Sequence, residues 1–149
     1  MGTVDLGAYA DRTVGQVMVR SPKVLAADAT VGAAREALRD DHVHLVLLVD
    51  PDGRLVGTVV RDDLSGVTDA APAIGAGTLR GRVVRPTSTV REVLPLLEGA
   101  VARRLAVVDG QGVLVGLLCL KRSRRGFCDD AGVAARAAER AETRLSPAR

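Results

Sequence analysis

Aromatic residues are almost missing from this chain: of 149 residues only Tyr9 and Phe127 carry a large ring, and tryptophan is absent. Proteins that hold single-stranded nucleic acid stack bases on aromatic side chains. Two rings supply too few platforms for that mode. Cysteine is nearly as scarce. Cys119 and Cys128 lack the CxxC spacing of a zinc site, and two residues make no disulfide framework. Only two histidines occur, His42 and His44. They are two apart, a spacing that shares one face of a strand, but there is no third imidazole and no cysteine near them. A helix-to-strand loop is the simpler reading, and no metal site is expected. No apolar run approaches the ~18 residues of a membrane span. The N-terminus, MGTVDLGAYADR, has neither the basic nor the apolar region of a secretory signal. The expectation is a soluble, cytoplasmic chain.

Aliphatic residues are plentiful, and 47% of the chain is hydrophobic. The length suits one domain or two small repeats sharing a core. Net charge is +3, unevenly placed. Residues 1–120 hold 13 basic and 14 acidic side chains, whereas residues 121–149 hold 8 basic and 4 acidic. The excess therefore begins at Lys121, Arg122, Arg124 and Arg125, directly after the apolar run Gly116–Leu120. Arginine outnumbers lysine 19 to 2, which together with abundant Ala, Val and Gly points to a high-GC bacterial genome.

The chain repeats itself. Setting Gly57 on Gly116, an offset of 59 residues, also sets Thr30-Val31 on Thr89-Val90 and Leu38 on Leu97. Val49-Asp50, Gly53 and Leu55-Val56 fall on Val108-Asp109, Gly112 and Leu114-Val115. Nine of the 37 positions from Asp28 to Leu64 match without a gap, at caps, turns and strand centres. A repeat is established on that placement.

Each unit has a physical reading. Thr30 is a helix N-cap followed by Val31, Ala34, Ala37 and Leu38 at helical spacing. Thr89 with Glu92 is a capping box, followed by Val90, Val93, Leu94 and Leu97. Pro95 removes a backbone donor there and should kink the helix. A buried strand, Leu45 to Val49, then a turn at Asp50-Pro51-Asp52-Gly53 and a returning strand, Leu55 to Val60, make a hairpin. VVDGQGVLVGLL repeats it. Val24-Leu25 and Val83-Val84 are short opening strands. Residues 12–66 and 79–123 are the two units, with 67–78 as a linker. Residues 129–145 read as an Ala-rich amphipathic helix.

These segments together resemble a tandem CBS-domain pair, the module named after cystathionine β-synthase. VGQVMVRSPKVLAADATVGAAREAL, HLVLLVDPDGRLVGTVVRDDL and RRLAVVDGQGVLVGLLCLKRS carry the likeness, which spans roughly residues 12–123. The resemblance implies an α/β (α+β) fold of two β-α-β-β-α repeats packed sheet to sheet about a pseudo-two-fold. It also implies a stand-alone regulatory protein, homodimeric through helical faces, signalling to an unknown effector protein. The expected ligand is an adenine-containing molecule, AMP, ADP, ATP, NAD or S-adenosylmethionine, bound in clefts between the repeats.

The family's ligand signature, G-h-x-[ST]-x-x-[DN], places a hydroxyl on phosphate and an acid on the ribose. An ionised carboxylate only accepts, so it can take both diol protons. In the first unit Thr58 follows the glycine, Val60 replaces the hydroxyl and Asp63 keeps the acid. An Asp just after a strand also caps helices, so Asp63 has two readings. In the second unit Cys119 replaces the hydroxyl and Arg122 replaces the acid. A guanidinium cannot accept from a diol; with Lys121, Arg124 and Arg125 nearby it offers a phosphate seat instead. A run of charge is also compatible with a plain solvated face. By resemblance the clefts are further lined by Val24, Leu25, His44, Leu45, Val83, Val84, Arg103 and Leu105, with His44 expected at the first unit's cleft and Arg103 as its counterpart in the repeat. No Ser-His-Asp set, P-loop or GxGxxG after a strand is present. The chain is not expected to be an enzyme. Three roles follow in order: a sensor of an adenine-containing or similar anionic ligand, a ligand-free dimerisation module, and, last, a nucleic-acid binder through the basic tail. That last role would show as steep salt dependence.

Overall fold

The computed structural model describes residues 7–130. The C-terminal helix expected at 129–145 lies almost wholly outside the described residues. Two three-stranded sheets form, in the orders β1-β2-β3 and β4-β5-β6. The first holds β1 (Val24–Ala26), β2 (Val46–Val49) and β3 (Leu55–Val59); the second holds β4 (Val83–Val84), β5 (Arg104–Val108) and β6 (Leu114–Cys119). Helices α1 (Val14–Val17), α2 (Val31–Ala37), α3 (Ala73–Ala76) and α4 (Val90–Gly99) cover their outer faces.

The repeat extends to single hydrogen-bond registers. Val46 opposes Val59 and Leu47 opposes Thr58 in the first sheet; Leu105 opposes Leu118 and Ala106 opposes Leu117 in the second. Both hairpins slip register at the same place, between Leu48 and Val49 and between Val107 and Val108. Val24 pairs with Leu47 in parallel, as Val83 pairs with Ala106. Every pair is displaced by the 59 residues seen in the sequence.

Strand alternation explains the layers, since successive side chains leave opposite faces. Leu45, Leu47, Ala106 and Val108 point into one core between the sheets, with Leu55 and Val60. Val46 and Leu48 face the other way onto Val31, Ala34 and Leu38 of the α2 segment. Leu105 and Val107 do the same against Val90, Val93 and Leu97 of α4. The hairpin tips clasp one another: the Leu55 amide donates to the Gly112 carbonyl at 2.9 Å and the Leu114 amide to Gly53 at 3.0 Å.

The helices start where the capping residues predict. The Thr30 hydroxyl accepts from the Ala33 amide at 3.1 Å. Thr89 accepts from the Glu92 amide at 3.2 Å while the Glu92 carboxylate accepts from the Thr89 amide at 2.9 Å, which holds that carboxyl below its ordinary pKa. Helix α4 runs on through Pro95 to Gly99.

Each unit borrows its leading segment from the other half. The Val14 amide donates to Ser88 and Gly15 to Pro86, and Val90 returns a bond to Arg12. In the first unit the Ala73 amide donates to Ala29 and Val31 to Ala71. The stretch 67–78 therefore contains α3, which packs on β3 as α1 packs on β6. The last helix of each β-α-β-β-α unit is reduced. After β3 only a single 3-10 turn forms, Arg61–Leu64, and after β6 the chain doubles back as a hairpin bridging Leu120 to Phe127.

That second departure moves the two cysteines. Cys119 and Cys128 are disulfide-bonded, with Cα atoms 5.4 Å apart. The sequence spacing gave no sign of a cross-link; the turn that creates it has Arg124 at φ 61° and lies within a run of charge. Asp130 then ties the returning chain down, accepting from the Arg20 and Ser21 amides at 2.8 and 3.3 Å.

Candidate functional site

The two pseudo-equivalent clefts between the sheets are built from corresponding residues and differ in state. One is bridged. Asp63, in the 3-10 turn after β3, accepts from the Arg82 guanidinium at 2.7 Å and from the Val60 amide at 3.0 Å. Arg82 immediately precedes β4 and also reaches the Thr58 carbonyl at 3.3 Å. The buried Thr58 hydroxyl donates to the Thr78 carbonyl, whose own amide bonds Thr58 at 2.9 Å. Burial pushes the Asp63 carboxyl up, but the Arg82 hydrogen bond and charge and the Val60 amide prevail, and its pKa lies below the ordinary value.

At the other cleft those positions are Lys23, Arg122, Leu117 and Val19. Two cations replace the ion pair, and the Leu117 side chain has no hydroxyl to reach across. This cleft is open and has two lobes sharing His42, His44, Arg104, Cys119 and Cys128. The inner lobe, about 100 Å³, is mostly apolar, with Val19, Pro22, Val43, Leu45, Leu47 and Leu117 around Lys23. The outer lobe, about 490 Å³, is charged, with Arg103, Lys121 and Arg122 set against Asp41 and Asp129. Its size lies within the roughly 300–1,000 Å³ of small-molecule sites.

Local structure fixes the lining groups. Arg61 donates to the carbonyls of Leu38, of Asp40 at 3.3 Å and of Val43 at 3.0 Å, and so pins the loop ahead of β2. The same guanidinium lies 3.3 Å from His44 Nδ1. Arginine can only donate, so Nδ1 accepts and the neutral imidazole keeps its proton on Nε2. Burial and then the positive fields of Arg104, Arg61, Arg103 and His42 lower the His44 pKa from 6.5. Arg103 stands at φ 58°, and its buried Nε finds no acceptor among the described residues. Buried donors are normally paired, and this one is not.

A family model for the CBS domain matches residues 14–68 and 82–122, more than half of the chain. The chain belongs to the CBS-domain family. Paired CBS domains are regulatory modules. A 107-residue stretch is 25% identical to inosine-5'-monophosphate dehydrogenase of Nitrosopumilus maritimus, covering 72% of this chain but 22% of that enzyme. The chain thus spans about a fifth of that enzyme's length. Among solved structures it is similar to the CBS pair of a Mg2+ transporter from Shewanella oneidensis described as putative, with TM-score 0.66, 24% identity and coverage of 87% and 74% of the two chains. It is also similar to Arabidopsis thaliana CBSX2 in complex with AMP, at TM-score 0.61, 26% identity and coverage of 86% and 98%.

In this CBS pair the residues singled out from the sequence divide into groups. His44, Leu45, Arg103, Cys119, Lys121 and Arg122 come together around the open cleft, so His44 serves the cleft of Arg122 and not, as expected, that of Asp63. Thr58, Val60 and Asp63 lie at the bridged one, where Val60 is buried in the inter-sheet core. Val83 borders that core, while Val84 and Leu105 are buried beneath α4. Leu25 packs toward α2, and Val24 is 43% exposed. Lys23, His42, Arg104 and Cys128 are among further residues that line the open cleft and to which the resemblance does not point. For Lys23 the signal existed: a cation immediately precedes the opening strand in both units, Lys23 and Arg82. Arg124 and Arg125 sit in the turn of the hairpin, outside the lining residues of the open cleft. No helix among the described residues is long and apolar enough to cross a membrane. No group of three or more His, Cys, Asp or Glu among them could hold a metal ion.

Proposed function

We propose that this CBS pair is a regulatory module that binds an adenine nucleotide, or a similar phosphate-bearing anion, in the open cleft and reports occupancy to a partner protein. The observation that carries the reading is the two-lobed cleft itself. An apolar inner lobe suits the base, and a cationic outer lobe suits the phosphates. Charge-assisted bonds from Arg103, Lys121 and Arg122 would be the strong contacts. His44, which lines both lobes, and Lys23, which lines the inner one, would orient the ligand between them. The AMP complex of CBSX2, a relative 26% identical, supports the choice of nucleotide. Calorimetric titration with AMP, ADP, ATP, NAD and S-adenosylmethionine tests it. Saturable binding of at least one to a folded sample is expected; binding of none overturns the reading.

A second reading concerns assembly. Leu96 on α4 and Val101 just beyond it are 39% and 52% exposed, large apolar side chains on an outer face. A homodimer pairing these faces would cover them and give a nucleotide-dependent change somewhere to act. Size-exclusion chromatography with light scattering distinguishes a dimer from a monomer.

A further inference from the structure

The disulfide lies in the wall of the open cleft, and its two sulfurs are unequally placed. Cys119, the last residue of β6, is 3% exposed. Cys128 is half-buried and lines both lobes with it. Between them run residues 120–127, a hairpin closed by two backbone bonds, Lys121 N–H to Gly126 at 2.9 Å and Cys128 N–H to Cys119 at 2.8 Å. Phe127 anchors one arm, buried and edge-on to Tyr9 with ring centres 5.5 Å apart. The other arm carries Lys121 and Arg122, two of the cations of the outer lobe. A covalent bond therefore closes the loop that presents the anion-facing charge.

We propose that Cys119 and Cys128 form a thiol–disulfide exchange site that seats the basic hairpin on the cleft, so that oxidation state sets anion affinity. The co-reactant is a dithiol. Its thiolate attacks the more accessible Cys128 sulfur; the S–S bond breaks, and its electron pair leaves on Cys119. The cations around Cys119, Arg104 and Lys121 among them, favour that thiolate. The second thiol of the reductant then attacks the mixed disulfide and frees Cys128, while both protein sulfurs take up protons. Two electrons and two protons pass to the protein, and the reductant leaves as its disulfide.

Reduction acts on the cleft by releasing the hairpin that holds Lys121 and Arg122, which weakens the binding of an anion. Linkage makes the effect mutual: a bound anion must favour the disulfide by the same factor. This coupling rests on the nucleotide reading above, whereas the exchange chemistry does not.

The test uses the full chain equilibrated in graded mixtures of reduced and oxidised dithiothreitol. Aliquots are alkylated and weighed, followed by hydrogen exchange, and titrated with AMP by calorimetry. The expected result is one two-electron transition, exchange of the 120–128 amides about tenfold faster when reduced, and AMP binding about tenfold weaker. Cys128→Ser should show the reduced exchange pattern in oxidising buffer. Alkylation of both cysteines under fully oxidising conditions overturns the proposal, as does identical exchange across 120–128 in the two states. Unequal exchange with equal AMP affinity overturns the link to the cleft. Absence of AMP binding in either state counts against the nucleotide reading, and the exchange data still decide the redox site.

Discussion

The Arg82 guanidinium lies 2.7 Å from the Asp63 carboxylate, with less than a fifth of either side chain exposed. Fifty-nine residues before Arg82 stands Lys23, and fifty-nine after Asp63 stands Arg122. One fold thus places an ion pair across one cleft and two like charges across its twin. The ion pair ties the two repeats together at the first cleft, and the second has no counterpart of that bond between Lys23 and Arg122.

Asp63→Ala should lower stability by about 2 kcal/mol, because a hydrogen-bonded, largely buried charge is removed and Arg82 is left without its partner. It should leave nucleotide affinity unchanged. Chemical denaturation and calorimetry read the two effects separately. Since the folded carboxyl titrates below its ordinary 3.8, the pair's contribution is complete above that value and lost as pH falls through the lower, folded one. The stability difference between Asp63→Ala and the parent should therefore vanish in strong acid.

Arg122→Ala and Lys23→Ala should each weaken AMP roughly tenfold, the effect of deleting one charge-assisted contact. Neither position carries a salt bridge between described residues, so thermal stability should hold or rise slightly. Calorimetry with a melting curve on the same sample checks both.

Much of this is legible in the sequence. Nine matching positions fixed the repeat, and each ladder register follows its offset. The exchange of Asp63 for Arg122 at equivalent places marked the clefts as unlike. The exchange of leading segments was hidden, because Thr13 and Met18 correspond to Pro72 and Gly77 and share no side-chain character. Arg82 was likewise out of reach: nothing in a linear reading says that a cation ahead of β4 meets an acid after β3. The Cys119–Cys128 bond needed the chain to turn at Arg124, in a run whose charge suggests only a solvated face.

Affinity should rise as pH falls. His44 titrates below 6.5 because burial comes first, with Arg104, Arg61, Arg103 and His42 adding positive field. A bound phosphate cancels part of that field and raises the pKa. Between the free and bound values, binding takes up a proton, so lower pH favours the complex. Calorimetry in two buffers of different ionisation enthalpy should reveal the uptake, and His44→Gln should abolish it.

Two equivalent glycines should respond differently to alanine. A Cβ on Gly116 would lie 2.6 Å from the Val19 carbonyl, which is hydrogen-bonded to the neighbouring Leu117 and cannot retreat. A Cβ on Gly57 meets only side-chain atoms, Leu48 Cδ1 at 3.3 Å and Ile74 Cγ1 at 3.5 Å. Gly116→Ala should cost about 2 kcal/mol, and Gly57→Ala clearly less. Urea denaturation of the two variants measures the difference.

The most direct test of the account is to map AMP by amide chemical shifts on the labelled protein. The account predicts saturable shifts at residues 42–45, 103–104 and 117–122, with residues 58–63 and 78–82 undisturbed. Shifts concentrated around Thr58, Asp63 and Arg82 would contradict it, since they would mean that the ligand breaks the ion pair and enters the bridged cleft instead.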